Sequence, residues 1–213
     1  MNGTILPVSL TIVLSYLLGS INSALIVSRL LYQDDIRRHG SGNAGVTNMY
    51  RIYGRGPALI TVLGDFSKAV LAVLIARVIF VRLGVAISHD PGYLAGLFAL
   101  IGHIFPLYFK FKGGKGVMPL IGVLILVSWQ AFAVVVLITL PVVLLTRKMS
   151  LGSIVGSIVL PFATFGMASL LNQNALAPTV YAIIFALIVI VAHRSNIKRL
   201  LAGTEKPVFP KSP

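Results

Sequence analysis

Two glycine-rich stretches hold most of the residues whose types and spacing could do chemistry. The first stretch reads Gly40, Ser41, Gly42, Asn43, Ala44, Gly45, Val46, Thr47 and Asn48, and Arg51 follows it. Because glycine lets the backbone curl, several N–H groups of such a loop can point at one anion. The polar side chains add hydrogen-bond donors, and a planar guanidinium suits phosphate. The stretch therefore predicts a phosphate site, with a glycine-rich turn that caps the next helix as the alternative.

The second stretch begins at His103 and ends in Gly113, Gly114, Lys115 and Gly116. Three glycines around one lysine predict a small anion cradle with a point charge in its middle. It is not a Walker A motif, because no Ser or Thr follows the lysine and no strand precedes it. The alternatives are a flexible turn whose lysines meet acidic headgroups and a His103 that only packs and bonds to a carbonyl.

Three further features carry polar residues next to apolar segments. Ser153 lies close to the start of one segment and is interpreted as an N-cap, which could also turn its hydroxyl toward an anion. His193 and Asn196 are three residues apart, so they share a helix face, although the same region also fits a helix that ends in snorkelling cations. Asp65 and Lys68 are interpreted as a structural ion pair inside a membrane helix.

The composition restricts the class of protein. Apolar residues make up 57% of the 213 residues and charged residues 11%, against roughly a quarter charged in a typical globular domain. Together with a mean hydropathy of +0.94, this excludes a disordered protein or a soluble enzyme. Eighteen Lys and Arg against five Asp and Glu predict anionic partners. The chain has no cysteine and no His/Asp/Glu cluster of the zinc type, so no metal site is expected.

The apolar segments predict an all-α integral membrane protein with about seven transmembrane helices. The predicted helices cover residues 5–31, 57–81, 93–109, two short helices within 117–146, 151–171 and 175–192. Residues 1–205 are expected to form a single polytopic membrane domain, and residues 206–213 a flexible tail.

The charge pattern predicts that residues 117–146 form two helices, a short fourth and a short fifth. All Lys and Arg except Lys68, Arg77 and Arg82 fall into four clusters, and the positive-inside rule places all four in the cytoplasm. Two crossings or a re-entrant hairpin are then needed before Arg147, with a turn near Trp129. The N-terminus is therefore predicted outside and the C-terminus in the cytoplasm.

Taken together, these stretches resemble the bacterial acylphosphate-dependent glycerol-3-phosphate acyltransferases, the PlsY family. The residues that match, in the family's order, are Gly19 to Asn22, Gly40 to Asn48 with Arg51, His103 to Gly116, and His193 to Leu200 with Gly203 and Glu205. The resemblance implies transfer of a fatty acyl group from acyl phosphate to the 1-hydroxyl of glycerol 3-phosphate. The products would be lysophosphatidic acid and phosphate, in the first step of membrane phospholipid synthesis.

The resemblance also implies the partners and the place of the reaction. The partners would be acyl phosphate, glycerol 3-phosphate and the lipid bilayer, without a cofactor, acyl-CoA or acyl carrier protein. No nucleic acid and no obligate protein partner is expected. The protein would cross the bacterial inner membrane several times, with its active site facing the cytoplasm.

The resemblance assigns roles to individual residues. Phosphate groups and glycerol would be bound by Ser41, Gly42, Asn43, Ala44, Gly45, Thr47, Asn48 and Arg51. The acyl phosphate head would be bound by Gly113, Gly114, Lys115 and Gly116, and His103 is counted with the substrate-binding residues. Ser153, His193 and Asn196 would complete the polar site and, with Arg51 and Lys115, form the catalytic set. His193 is the nearest protein candidate for the base, and an oxygen of a substrate phosphate is the rival.

The leading alternative function is a membrane transporter or channel for phosphate or another anion. Such a pathway needs cations or polar groups that continue to the outer side of the membrane. Only Lys68, Arg77 and Arg82 lie outside the cytoplasmic clusters, which disfavours this alternative. A nucleic-acid-binding scaffold lacks the paired aromatic platforms and the long basic stripe that it would need.

Overall fold

The structure, a computed structural model, describes residues 2–208. Within these residues all regular structure is helical, with ten α-helices and two 3-10 turns, so the predicted all-α class is confirmed. The chain forms two compact units, an N-terminal unit that ends at Val127 and a C-terminal unit that begins at Ser128.

The N-terminal unit has a long central helix that contacts most of the others. Its helices are α1 (Asn2–Ser20), α2 (Ser23–Tyr32), α3 (Val46–Tyr53), α4 (Arg55–Arg82), α5 (Gly92–Ile104) and α6 (Val117–Val127). The 3-10 turns are Ile36–Arg38 and Leu107–Phe109. Helix α4 packs against α1, α2, α3, α5 and α6, and α1 also packs extensively against α5.

Helices α1 and α5 approach each other closely because glycines lie at their contact. A Cβ atom on Gly19 would overlap the carbonyl oxygen of Ala99, and one on Gly102 would overlap that of Tyr16. Small residues at such contacts let two helix backbones meet, which is a common way of packing helices in membranes. Since α5 leads into the second glycine-rich stretch, this contact helps to fix where that stretch begins.

The first apolar segment was predicted as one helix, but it is broken between α1 and α2 at Ile21 and Asn22. The side chain of Asn22 caps α2, because its Oδ1 atom accepts a hydrogen bond from Leu25 N at 3.0 Å. Asparagine competes with the helix backbone in this way and favours helix starts over helix interiors. The whole segment Gly3–Tyr32 is still long and apolar enough to cross a membrane.

The C-terminal unit is built around its second helix. Its helices are α7 (Trp129–Thr146), α8 (Met149–Leu170), α9 (Leu176–Ala192) and α10 (Arg194–Leu201). Helix α8 packs against α7 and α9, and Gly152 and Gly156 on α8 face side chains of α7. Helices α9 and α10 meet at an angle of 61°.

The end of the chain was predicted to be a flexible tail from residue 206. Its described part lies against the C-terminal unit, because Val208 N donates to Arg147 O at 2.8 Å and the Val208 side chain is buried. The rest of the predicted tail, residues 209–213, lies outside the described residues.

Five described segments are long and apolar enough to cross a membrane, and a sixth is added if α9 and α10 count as one bent span. The count of seven and the orientation of the termini therefore stay predictions. Helix α6 has 11 residues and is short, as predicted for the fourth helix. The prediction of a short fifth helix is wrong. Helix α7 has 18 residues, because the break at Ser128, next to the predicted turn, divides the apolar run unequally and Pro141 does not end the helix.

Candidate active site

The first glycine-rich loop is organised from inside by Asn48. Its Oδ1 atom accepts from Ser41 N at 3.0 Å, and its Nδ2 atom donates to Ile36 O at 3.2 Å and to His39 O at 3.0 Å. Gly40 has a φ of 59°, and a Cβ atom there would overlap Asn48 Oδ1. The buried Asn48 amide therefore holds the loop in shape, and its expected role in binding substrate stays a prediction.

The predicted phosphate-binding residues surround the start of α3. Ser41 and Gly42 are exposed, whereas Asn43, Gly45 and Thr47 are partly buried. Helix α3 begins at Val46, and the N–H groups of a first helical turn point out of the helix toward the preceding loop, where they attract anions. Arg51 lies four residues after Thr47, so both side chains share one face of α3.

Two neighbouring carboxylates anchor the segment that precedes this loop. Asp35 accepts two hydrogen bonds from the Arg37 guanidinium group and one from Arg37 N, and these bonds lower the pKa of Asp35 well below its ordinary value. Asp34 accepts from the Tyr53 hydroxyl at 2.9 Å, and this bond lowers the pKa of Asp34. Burial and the contact with Asp34 raise the pKa of Tyr53 to about 12. Both ends of the loop are therefore tied to ionised side chains.

The second glycine-rich stretch folds back on the end of α5. Gly113 N donates to Ile104 O at 3.0 Å, and Gly114 N donates to His103 O at 3.1 Å. The turn after α5 therefore uses the N–H groups of these two residues, and their role in an anion cradle around Lys115 stays a prediction. The glycines also allow close approach, since a Cβ atom on Gly113 would overlap His103 O. Lys115 follows directly and is partly buried.

The structure brings the two stretches together in the N-terminal unit. A Cβ atom on Gly114 would lie 2.7 Å from Ala44 O, and Asn22 Nδ2 donates to the same carbonyl at 3.4 Å. On another side, Arg37 donates to Phe109 O at 3.0 Å and to Lys112 O at 2.9 Å. The sequence did not identify Arg37 as a link, because its partners are backbone atoms more than 70 residues away in the chain.

The buried His103 contacts protein groups on both edges of its ring. Its Nδ1 atom lies 2.9 Å from Lys68 Nζ, and a side chain on Gly114 would overlap its Nε2 atom. Lys68 in turn lies 3.0 Å from Asp65, which confirms the predicted ion pair. His103 therefore lies in the protein interior and packs against the second glycine-rich stretch.

In the C-terminal unit, Ser153 is not the helix cap that the sequence predicts. Helix α8 begins at Met149, so Ser153 lies in its second turn, where its hydroxyl donates to Met149 O at 3.0 Å. The prediction failed because the helix begins earlier than expected. Lys148 is the N-cap residue, and Ser150 lies in the first turn. Ser153 is partly buried, and its role in the reaction stays a prediction.

Asn196 is held by a buried carboxylate that the sequence noted only through the family resemblance. Glu205 accepts from Asn196 Nδ2 and Ser150 Oγ, each at 2.7 Å, and from Arg199 Nε at 2.7 Å. Burial alone would raise the pKa of Glu205. The hydrogen bonds from Ser150, Arg199 and Asn196 outweigh burial and lower that pKa below its ordinary value.

His193 lies where α9 ends and α10 begins. Its Nδ1 atom is 2.8 Å from Val189 O, and a carbonyl oxygen can only accept a hydrogen bond. Nδ1 therefore carries a proton, and in the neutral ring the lone pair is on Nε2. Asn196 N donates to His193 O at 2.8 Å, so the predicted pair is joined through the backbone as well as by its spacing on the helix.

Each of the five acidic residues of the chain has a partner in the structure. Asp34 binds His39 and Tyr53, Asp35 binds Arg29 and Arg37, Asp65 binds Lys68, Asp90 binds Arg77, and Glu205 binds Arg199. The carboxylate oxygens are thus already engaged by side chains of the protein, so none of the five is a candidate for the general base.

Sequence comparisons connect this arrangement with known proteins. The sequence model of the family described as glycerol-3-phosphate acyltransferase matches residues 9–203. A glycerol-3-phosphate acyltransferase from Thermoanaerobacter pseudethanolicus is 38% identical over 203 residues, which cover 95% of this chain and 96% of the relative. One from Coxiella burnetii is 40% identical over 199 residues, covering 93% of this chain and 97% of the relative.

Solved structures agree with the sequence comparisons. The glycerol 3-phosphate form of PlsY, an integral membrane glycerol 3-phosphate acyltransferase, has a TM-score of 0.81 and 32% identity, covering 95% of this chain and 96% of the other. The lysophosphatidic acid form has a TM-score of 0.78, again with 32% identity and with 94% of each chain covered. The fold is thus that of a multi-pass membrane protein. With the family match spanning nearly the whole sequence, the chain belongs to the glycerol-3-phosphate acyltransferase family.

Proposed function

We propose that this chain transfers a fatty acyl group from acyl phosphate to the 1-hydroxyl of glycerol 3-phosphate. The observation that carries the proposal is the juxtaposition of the two glycine-rich stretches in the N-terminal unit, where Gly114 lies against the Ala44 carbonyl. By the family resemblance one stretch binds each phosphate-bearing substrate. Related proteins were solved in glycerol 3-phosphate and lysophosphatidic acid forms, which supports the acceptor and the product.

The proposed chemistry is an addition followed by an elimination at the acyl carbon. The glycerol hydroxyl oxygen attacks that carbon, its proton passes to a base, and the C–O bond to phosphate breaks with phosphate as leaving group. Because acyl phosphate is an activated anhydride, no covalent intermediate with the protein is needed. Arg51 and Lys115 are proposed to offset the repulsion between two phosphates and to stabilise the developing charge.

Two groups are candidates for the base. All five carboxylates are already paired with side chains of the protein. His193 has a proton on Nδ1, so its Nε2 lone pair is suited to accept the hydroxyl proton. The other candidate is an oxygen of a substrate phosphate. We propose Asn196, Ser153 and His193 as polar groups of the same reaction on the strength of the resemblance.

We propose further that the protein crosses the bacterial inner membrane seven times, with the reaction at the cytoplasmic face. The clustered cations at the ends of the apolar segments support this orientation. Single-cysteine labelling tests it, because the native chain has no cysteine. Probes at residues 40–51 and 110–116 should react from the same, cytoplasmic side. Labelling of the two regions from opposite sides would overturn the proposal.

The activity itself is tested with purified protein, palmitoyl phosphate and glycerol 3-phosphate, without added CoA. Lysophosphatidic acid and phosphate should form in equal amounts. Palmitoyl-CoA offered in place of palmitoyl phosphate is the control for donor type and should give little product. A preparation that moves phosphate into liposomes and forms no lysophosphatidic acid would instead support the transporter.

A further inference from the structure

Three ionisable side chains meet in the interior of the N-terminal unit, behind the second glycine-rich stretch. Lys68 Nζ lies 2.6 Å from Ile21 O, 3.0 Å from Asp65 Oδ1 and 2.9 Å from His103 Nδ1. The side chains of Asp65, Lys68 and His103 are 1%, 4% and 3% exposed, so water cannot replace these partners. A buried, fully paired charge cluster of this kind is costly to assemble, and such clusters in membrane proteins mark functional regions.

The geometry fixes the direction of each hydrogen bond. An ammonium group has three N–H donors and no acceptor, and Lys68 has three acceptors around it. His103 Nδ1 must therefore accept, which places the proton of the neutral ring on Nε2. In a doubly protonated ring the Nδ1–H group would point at the ammonium group 2.9 Å away, so the cluster selects the neutral ring.

The cluster contacts the second glycine-rich stretch and the break between α1 and α2. The Nε2 edge of His103 lies against Gly114, where no side chain fits. Lys68 binds Ile21 O and Asp65 Oδ1 accepts from Ser23 N at 3.3 Å, so the pair holds both sides of the break between α1 and α2. Between these two residues is Asn22, whose side chain binds the Ala44 carbonyl of the first loop.

We propose that Asp65 and Lys68 are positioning residues for acyl transfer, which act by fixing the tautomer and place of His103 and the break at Asn22. Neither side chain reaches substrate in this scheme. Their effect is to hold Gly114 and Ala44, and thereby the two phosphate-binding stretches, at one separation. The proposal rests on the proposed function, and it explains why a lysine and an aspartate are kept inside an apolar helix.

The tautomer of His103 is the first test, and it is read on the unmodified protein, with a variant used only to assign the signals. Long-range 1H–15N spectra of 15N-histidine-labelled protein distinguish the two neutral tautomers and the doubly protonated ring, and His103→Gln identifies the signals. The expected result at neutral pH is a neutral ring protonated on Nε2. A proton on Nδ1, whether the ring is neutral or doubly protonated, would overturn the proposal. Because this reading does not depend on activity, it is separate from any failure of the proposed function.

The second test removes the charges together, so that no unpaired ion is left buried. In the double variant Asp65→Asn/Lys68→Met, the asparagine can still accept from Ser23 N. The matched control is Arg77→Met/Asp90→Asn, which removes an ion pair at the other end of α4 that has no contact with either stretch in the described structure. With palmitoyl phosphate as donor, the first variant should lose on the order of 100-fold in kcat, because small displacements of reacting groups cost that much.

The two double variants separate positioning from structural support. Whatever each does to the thermal midpoint in detergent, only Asp65→Asn/Lys68→Met should lower kcat and change the tautomer signal of His103. Equal kcat losses in the two variants would show a general structural effect. Native kcat in Asp65→Asn/Lys68→Met would likewise overturn the proposal. If that variant does not fold, the tautomer measurement on the unmodified protein still decides.

Discussion

The two buried histidines of this protein, His103 in the N-terminal unit and His193 in the C-terminal unit, carry their protons on opposite nitrogens. His103 Nδ1 accepts from the Lys68 ammonium group, so Nε2 is protonated. His193 Nδ1 donates to the Val189 carbonyl, so Nε2 has the lone pair. Each ring is only 3% exposed. The two side chains are the same imidazole, but in the fold Nε2 of His103 can only donate a hydrogen bond and Nε2 of His193 can accept a proton.

The difference shows that the partner of Nδ1, and not burial, decides what a histidine can do here. A donor partner turns the outer nitrogen into a hydrogen-bond donor that cannot accept a proton. An acceptor partner turns it into a potential base. His103 is therefore suited to positioning and His193 to proton transfer.

The largest expected effect comes from removing His193. His193→Gln should lower kcat by about 100- to 10,000-fold if the ring is the general base, since that is the usual contribution of such a group. The measurement is a pH–rate profile of the variant beside the unmodified enzyme. Loss of the acidic limb in His193→Gln is expected for a histidine base. If the variant keeps this limb, the base is an oxygen of a substrate phosphate, and the two histidines do not differ in their part in proton transfer.

A smaller effect is expected from Lys115, which follows the glycine that packs on His103. Lys115→Ala should cost at least ~2 kcal/mol of transition-state stabilisation, or about 30-fold in kcat/KM, if its charge neutralises the transferring group. Lys112→Ala is the control, because the Lys112 side chain is exposed and the described partners of Lys112 are bonded to its backbone. Similar kinetics for the two variants would contradict the role assigned to Lys115.

His103→Gln should give a still smaller loss, about tenfold in kcat/KM, because an amide can keep part of the contact with Lys68. Its acidic limb should be unchanged, since a ring protonated on Nε2 is not the base. Comparing the two pH–rate profiles, of His103→Gln and His193→Gln, sharpens the contrast most directly. An acidic limb that disappears in His103→Gln would show that the roles are reversed.

The smallest effect on the rate is expected from Glu205→Gln, which mainly tests stability around Asn196. The pKa of Glu205 is lowered in the folded protein from an ordinary value of 4.5, so the unfolded chain binds a proton more readily. This stabilisation is present above about pH 4.5 and is lost as the pH falls through the lowered value. At pH 7 the variant should lose about 1–2 kcal/mol of unfolding free energy.

Thermal midpoints measured between pH 3 and pH 7 check this prediction. The unmodified protein should lose stability on acidification, and Glu205→Gln should depend less on pH over that range. An equally steep dependence in the variant would show that other groups, such as Asp35, dominate acid sensitivity.

Much of the fold was predictable because apolar length is a local property of the sequence. The second span was predicted at 57–81 and the helix covers Arg55–Arg82. The break at Ile21 and Asn22 was missed, because one asparagine in an apolar run does not reveal whether it caps a new helix or packs in an old one. The length of α7 was also missed, although the turn was predicted next to its observed place, because two short helices were expected where the apolar run divides into a short one and a long one.

The site was predictable at the level of motifs and not of contacts. The Asp65–Lys68 pair was predicted because its partners are three residues apart on one helix. The contact of Lys68 with His103 joins residues 35 apart, and no local pattern encodes it. For the same reason the sequence did not reveal that the N–H groups of Gly113 and Gly114 close a turn on α5, and their expected binding of an anion stays a prediction.

The carbonyl of Ile21 has a consequence for how the chain enters the membrane. It leaves the helical ladder at the break, and its recorded donor, Lys68, is synthesised 47 residues later. A backbone acceptor without a donor in hydrocarbon costs several kcal/mol. The first span of the nascent protein is thus complete only after α4 has been inserted beside it, which couples the biogenesis of these two spans.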